Sequence, residues 1–465
     1  MTDQAIPPRE AEEYVMRMPM ERLSWIVLSV SFVAFCLICL ASSFGLYSFL
    51  FISTMPLDIE LQVGRGTTLV TNDDVTSRGY LSGTSLVSRP ATVSNGPQTQ
   101  SLIAFSEDDA DSMPIATVTI QANSHIRVQR ANQPRFRWSN GEYVITLDSF
   151  EGETDIYILD NGERNIRMRV YDQVNNWVDI TRPGRYLLRS IDGRLYIDTR
   201  YGQALIQTDD GPKLISTGEE WVDTSVTSPS RVNLRRENLL DNSLFSFVGP
   251  SISYSGAAHV PSPWACGSFA EGPPSSTFTI EGWEGRQAIR FLRTSGAEAH
   301  GETFCQQSMG DIGASLQGYS YLELETTFLV NYQSLSKCGR DGSECPLMLR
   351  LRFDMQVEGG SGETETVERE WIHGFYFADD PQRDFPAQCV SCIDTHQQVN
   401  DKVWYTYRSG NLITAMQFAG YGTPVRIKDV QFYASGHDYD VLVSEIGLYR
   451  GLADVAIEGN PMPGS

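Results

Sequence analysis

Past residue 57 the chain alternates. Runs such as Ala116-Thr117-Val118-Thr119-Ile120, Glu142-Tyr143-Val144-Ile145-Thr146-Leu147, Asn165-Ile166-Arg167-Met168-Arg169-Val170-Tyr171 and Gly184-Arg185-Tyr186-Leu187-Leu188-Arg189 put apolar and polar side chains on opposite sides of an extended backbone. That is the period-two pattern of half-buried strands. Asn140-Gly141, Asn161-Gly162, Asp192-Gly193 and Asp210-Gly211 lie between such runs and supply the positive φ that tight hairpin turns need. No long amphipathic helix is predicted in this region. The expected fold class is an all-β ectodomain with one N-terminal transmembrane α-helix.

The helix comes from the opposite pattern. From Leu23 to Leu57 no residue is charged, and the run exceeds the roughly 20 apolar residues that cross a bilayer. A transmembrane helix is expected over 23–53. A cleavable signal peptide would have an apolar stretch of about 7 to 15 residues before a small-residue site; Ala41-Ser42-Ser43 imitates such a site, but Gly45 to Ile52 carries the run well past it. Cys36 and Cys39 follow Phe35 and Ile38 and read as apolar helix side chains. Arg9, Arg17 and Arg22 precede the span and only Arg65 follows closely, so the positive-inside rule puts the N-terminus in the cytoplasm. The expected localisation is a single-pass cell-membrane protein, with residues 1–22 as a short cytoplasmic tail and the bulk of the chain extracytoplasmic.

Charge and cysteine narrow the partners. Three of the 36 basic and five of the 58 acidic residues precede the span, leaving 33 against 53 outside. Such a surface repels phosphate backbones, which excludes nucleic acid as a partner. Six of the eight cysteines lie between Cys266 and Cys392, the even number of an extracytoplasmic disulfide set. The preferred pairing is Cys266 with Cys305, Cys338 with Cys345, and Cys389 with Cys392. The alternative gathers Cys338, Cys345, Cys389 and Cys392 around zinc, although the spacing from Cys338 to Cys345 is wide for a zinc knuckle.

Composition divides the exterior. Residues 72–113 are rich in Ser, Thr, Gly and Asp and include the acidic run Ser106-Glu107-Asp108-Asp109-Ala110-Asp111, so a polar insertion is expected there. That run lacks the spacing of a calcium loop. Residues 223–237, with Ser228-Pro229-Ser230 and Arg235-Arg236, have linker composition and mark the boundary between two domains. Residues 452–465 are expected to form a flexible tail.

Within the first domain, 58–222, the succession Gly184-Arg185-Tyr186-Leu187-Leu188, Gly193-Arg194-Leu195-Tyr196-Ile197, Tyr201-Gly202-Gln203-Ala204-Leu205-Ile206 and Lys213-Leu214-Ile215-Ser216-Thr217-Gly218-Glu219 resembles the β-repeat core of the FecR-like extracytoplasmic domain. The resemblance implies a stalk or sensor element. Members that regulate sigma factors hold them with a cytoplasmic helical domain ahead of the membrane helix, and the tail here is expected to be too short for that role.

In the second domain, 238–451, Glu237-Asn238-Leu239-Leu240-Asp241-Asn242-Ser243-Leu244-Phe245 and Asp440-Val441-Leu442-Val443-Ser444-Glu445-Ile446-Gly447-Leu448-Tyr449 resemble the opening and closing strands of galactose-binding-like and carbohydrate-binding-module jelly rolls. Gly285 to Phe291 and Phe304 to Gln307 resemble the next paired strands of that fold. In similar modules a structural calcium bridges the first and last strands, with Asp241 and Glu445 the conceivable ligands here. No other cofactor is expected.

Chemistry is sparse. There is no Gly-x-Ser-x-Gly elbow, phosphate loop or dinucleotide fingerprint, and the six histidines lack metal spacing. His373, inside Trp371-Ile372-His373-Gly374-Phe375-Tyr376-Phe377, reads as a core side chain, so no enzyme is expected. Jelly-roll modules lay a sugar face on an aromatic ring, which makes Trp264, Trp283, Trp404, Tyr405 and Tyr407 the candidates for ligand binding, with core packing as the competing role for each. The two functional readings are a surface protein whose distal module recognises a glycan or envelope polymer, and a structural subunit whose β domains bind other envelope proteins.

Overall fold

The computed structural model describes residues 20–72, 77–81, 84–87, 90–107, 113–160, 164–191, 193–208, 211–222, 236–246, 248–249, 260–261, 263–358, 363–380, 388–389 and 392–452. Residues 1–19 of the expected tail, the acidic stretch 108–111, the turn residues 161–162, Asp192 and Asp210, the linker stretch 223–235 and the terminal residues from 453 lie outside them. The described residues are mostly strand, with two α-helices.

One compact unit contains the N-terminal helix and the hairpin tip Pro134–Gly141. Helix α1 spans Met20–Tyr47 and ends in a π turn, Ser48–Ile52. Its apolar side chains point outward on every side, with Trp25 69%, Phe35 63% and Leu40 68% exposed. A helix apolar all round needs an apolar surrounding, and this one is long and apolar enough to cross a bilayer. The hairpin tip is tied to the end of the helix. The Arg135 N–H donates to Ser53 O at 3.0 Å, the Ser139 hydroxyl donates to Phe51 O at 2.9 Å, and Phe136 meets Phe49 edge-on with ring centres 5.5 Å apart.

The second unit, Pro56–Gln133 with Glu142–Ser465, contains two β bodies. The N-terminal body is built from two ladders that share the long strand Tyr143–Ile158. One ladder runs Thr84–Leu86, Asp58–Arg65, Gln100–Ser106, Ala116–Ile120, the second half of the shared strand, Gly184–Ile191, Arg194–Tyr201 and Glu219–Val222. The other runs Ser77–Tyr80, Thr68–Asn72, Ala91–Asn95, His125–Pro134, the first half of the shared strand, Ile166–Asp172, Trp177–Ile180, Gln203–Thr208 and Gly211–Ser216. All pairs are antiparallel except the shared strand with Ile166–Asp172. The stretch 72–113, expected to be a polar insertion, supplies four of these strands, because Val93, Ile103 and Phe105 alternate into the core.

Gly202 fixes one corner of this body. It sits at φ +100°, and a Cβ there would lie 2.2 Å from the Tyr186 hydroxyl, so only glycine fits. That hydroxyl donates to Arg182 O at 2.9 Å and accepts from the Gln203 N–H at 3.0 Å.

The C-terminal body is a β-sandwich. Its first sheet is ordered Thr277–Trp283, Arg286–Arg293, Tyr439–Gly451, Tyr321–Gln333 and Tyr405–Arg408, with Glu237–Asn238 beside Tyr439–Gly451. The second is ordered Ala265–Ala270, Gly301–Ser308, Thr423–Gly436, Leu347–Glu358, Thr364–Tyr376 and Gln397–Gln398, with Ala314–Ser315 beside Thr423–Gly436. Between them lies one apolar core that includes Phe291, Phe328, Leu349, Phe353, Phe432 and Ile446. The short helix α2, Leu412–Phe418, is capped by Asn411, whose side chain accepts from the Ile413 N–H. Three disulfides join Cys266 to Cys305, Cys338 to Cys345 and Cys389 to Cys392. The first links residues directly opposite each other on neighbouring strands.

Candidate functional site

The sandwich has two outward faces, and they have different fates. The outward side of the first sheet is sealed by the N-terminal body. Leu102 and Ala104 of that body cluster with Ala288, Leu329, Trp404 and Leu442. The Gln100 side chain is zipped to the backbone of Thr406, donating to its oxygen at 2.7 Å and accepting from its N–H at 2.8 Å. Asn400 likewise donates to Gly64 O at 2.8 Å from its backbone and to Val63 O at 2.7 Å from its side chain.

At the centre of this contact is a buried ion network. Arg185 of the N-terminal body pairs with its own Asp155 and reaches Glu325 and Glu445 of the sandwich, each at 2.6 Å. Arg408 of the sandwich donates to Glu325 at 2.7 Å, to Asp155 at 3.3 Å and to Glu153. Arg200 pairs with Asp198 at 3.1 Å and lies 4.0 Å from the centre of the Tyr449 ring. Counting Arg236 and Glu323, which pair at 3.6 Å, four guanidinium groups face Glu153, Asp155, Asp198, Glu323, Glu325 and Glu445. The acids exceed the bases, and burial pushes the Glu325 carboxyl up to about 7 against the pull of Arg185 and Arg200.

The outward side of the second sheet is built differently. Strand register aligns Gly267, Phe304, Tyr433, Met348 and Gly374 in one row. The next holds Ala265, Gln306, Gln431, Arg350 and Ile372, and another Ser308, Asp429, Arg352 and Glu370. Alternation sends Cys305, Leu349 and Phe432 into the core and leaves Phe304, Gln306, Arg350, Arg352 and Glu370 partly open. The Arg350 guanidinium lies 5.7 Å from the Tyr433 ring centre, and Arg352 donates to Asp429 at 2.7 Å. Burial raises the Glu302 carboxyl on the same face. Among the described residues, Arg350 Nε, Asp429 Oδ1 and Gln431 Oε1 are buried atoms with no hydrogen-bond partner, so this face has bonding capacity that the fold does not use.

Two disulfides roof one end of it. Cys338, Cys345, Cys389 and Cys392 pack on Met348, Ile372, Tyr376 and Tyr433, with Phe304 against the cluster. The zinc alternative would use these four sulfurs, and each cysteine pair also lies close to His396. Here the sulfurs are bonded to one another. His396 accepts from the Gly374 N–H through Nδ1 at 2.9 Å, and its Nε2 meets Gly342 O at 2.7 Å. Both ring nitrogens are thus held by backbone, and the group acts as a staple.

The five aromatics expected at a ligand site lie off the outward side of the second sheet. Trp264 is fully enclosed and donates to Asn242 O at 3.3 Å. Trp404 is buried in the contact between the bodies, and half-buried Trp283 packs against the same cluster. Tyr405 and Tyr407 turn into the sandwich, where Tyr405 meets Phe328 at 5.7 Å and Tyr407 stacks on His373 at 5.0 Å. Of the conceivable calcium ligands, Glu445 is engaged by Arg185, while Gln307 bridges the backbone N–H and carbonyl of Asp241. The aromatics on the open face are Phe304 and Tyr433, with Phe269 57% exposed beside Glu302. The signal for this face was present in the alternation of Leu347 to Val357, whose polar positions are Arg350, Arg352, Asp354 and Gln356.

No protein-family model and no curated protein sequence matches the chain. Among solved structures, similar chains include the CBM22-1 xylan-binding domain of Paenibacillus barcinonensis Xyn10C, at 12% identity, covering 47% of this chain and 97% of that one, with a TM-score of 0.22. The family 30 carbohydrate-binding module of a Clostridium thermocellum cellulosomal cellulase matches at 14% identity, 46% and 96% coverage, and a TM-score of 0.23. A protein assigned as an anti-sigma factor from Parabacteroides distasonis matches at 11% identity over 30% of this chain, with a TM-score of 0.21. That last match spans 56% of the other chain's length.

Proposed function

We propose that this chain is a membrane-anchored, non-catalytic binding protein with its β bodies outside the cytoplasm. Its sandwich recognises a glycan or envelope polymer, and the FecR-like N-terminal body serves as stalk or sensor element. The observation that carries this reading is the unequal use of the two sandwich faces. One is closed by a buried ionic contact, while the other leaves the amide of Gln306, the guanidinium groups of Arg350 and Arg352 and the ring of Phe304 partly open in adjacent rows. Those are the groups that hydrogen-bond sugar hydroxyls and stack on pyranose CH faces. Three disulfides suit an oxidising compartment, and helix α1 supplies the anchor.

The test is glycan-array binding by the full chain in nanodiscs, repeated with Arg350→Ala and Gln306→Ala. Binding that falls at least tenfold in both variants, with their melting temperatures retained, supports the reading. Binding unchanged in both, or absent from every glycan while an envelope extract yields a stoichiometric protein partner, overturns it.

A further inference from the structure

We infer that the hairpin tip Pro134–Gly141 is a second membrane contact, seated in the lipid headgroup layer at the outer end of helix α1. The inference rests on the reading that α1 spans a bilayer.

Three observations carry it. The tip belongs to the same compact unit as the helix and is bonded to the helix end through Ser53 O and Phe51 O, which fixes its depth. Its sequence, Pro134-Arg135-Phe136-Arg137-Trp138-Ser139-Asn140-Gly141, holds two arginines and no acid in a chain of net charge −22. Finally, its rings continue the aromatic end of the helix. Phe136 stacks on Trp138 with centres 4.7 Å apart, the Arg135 guanidinium lies 5.4 Å from the Phe49 ring centre, and Trp138 is 63% exposed.

An exposed tryptophan beside arginines at the end of an apolar helix has the composition of the membrane–water interface, where amphipathic rings settle at headgroup level. The spacing agrees. From Trp25 to Phe49 an α-helical rise gives about 36 Å, just over the roughly 30 Å of a hydrocarbon core, so Trp25 and the Phe49–Phe136–Trp138 cluster fall in opposite interfaces. Arg135 and Arg137 are then placed to meet lipid phosphates.

The test uses the full chain in nanodiscs of phosphatidylcholine and phosphatidylglycerol brominated at either a shallow or a deep acyl position. Subtracting the spectrum of Trp138→Phe from that of the unaltered chain isolates Trp138, and Trp25→Phe isolates Trp25 as the control for the span. Both tryptophans are expected to be quenched at least twofold more by shallow than by deep bromine. Quenching of Trp25 with none of Trp138, whose emission stays at the wavelength of a water-exposed ring, overturns the inference and leaves the span standing. Quenching of neither overturns the span itself.

Discussion

Arg185 donates to Glu325 at 2.6 Å across the contact between the two β bodies, and both side chains are almost wholly withdrawn from water. The same guanidinium holds Asp155 and Glu445. Removing one partner from a buried ion group leaves the others charged and desolvated, at about 3–5 kcal/mol. Arg185→Met is therefore expected to weaken the contact by that order. In urea the unaltered chain should lose both bodies in one transition, and the variant should show two. A single transition at an unchanged midpoint would mean that the apolar cluster around Leu329 and Trp404 suffices alone.

Glu325 makes the contact sensitive to pH. Arg185, Arg200, Arg408, Asp155 and Glu323 all face it, and burial raises its carboxyl to about 7 from an ordinary value of 4.5. Between those values the folded chain holds a proton that the unfolded chain releases, so this group's contribution to stability is complete below pH 4.5 and is lost as pH rises through 7. Glu325→Gln mimics the protonated form. It should match the unaltered chain near pH 4.5 and exceed it in melting temperature at pH 8. A difference that does not change with pH would show that Glu325 is ionised throughout.

The strands and the long apolar helix were legible in the sequence because period-two alternation and an uncharged run are local signals. The contact between the bodies was not. Arg185 lies in the motif Gly184-Arg185-Tyr186, where it reads as a polar strand position, and its partners Glu325 and Glu445 are 140 and 260 residues away. Glu323 and Glu325 alternate with Leu322 and Leu324 as solvent-facing acids would. Only the docking of a second sheet turns that face into an interior. The enclosure of the aromatic candidates was hidden for the same reason: Trp264 and Tyr407 carry large rings, and a sequence does not say whether such a ring fills a core or lines a surface.

Gly202 is the most exacting position in the N-terminal body. Gly202→Ala places a methyl 2.2 Å from the Tyr186 hydroxyl at φ +100°, combining backbone strain with loss of the hydrogen bonds that hydroxyl makes. The expected cost is about 2–4 kcal/mol. Gly218 has φ +75° but open space around it, so Gly218→Ala should cost only about 1 kcal/mol. Chemical denaturation of the two variants checks the order, and an equal loss would show that the tyrosine corner yields freely.

His373 offers the sharpest test of the sandwich core. Its ring lies between Trp371 at 5.9 Å and Tyr407 at 5.0 Å, both near parallel, and neither nitrogen finds a hydrogen-bond partner among the described residues. Burial, aided by His396 and Arg65, lowers its pKa to about 3 from an ordinary 6.5. Below pH 6.5 the unfolded chain takes up a proton that the folded chain refuses, so stability is lost as pH falls from 6.5 toward 3. Glu325 acts in the opposite sense between about 4.5 and 7, and the two slopes offset each other over much of that window. His373→Phe keeps the stack and removes the unpaired nitrogens, so it should stabilise the chain by about 1–2 kcal/mol at pH 7. Its advantage should widen steadily as pH drops below 6.5. An advantage that stays constant down to pH 4 would show that His373 is protonated in the folded state and has a counter-charge there.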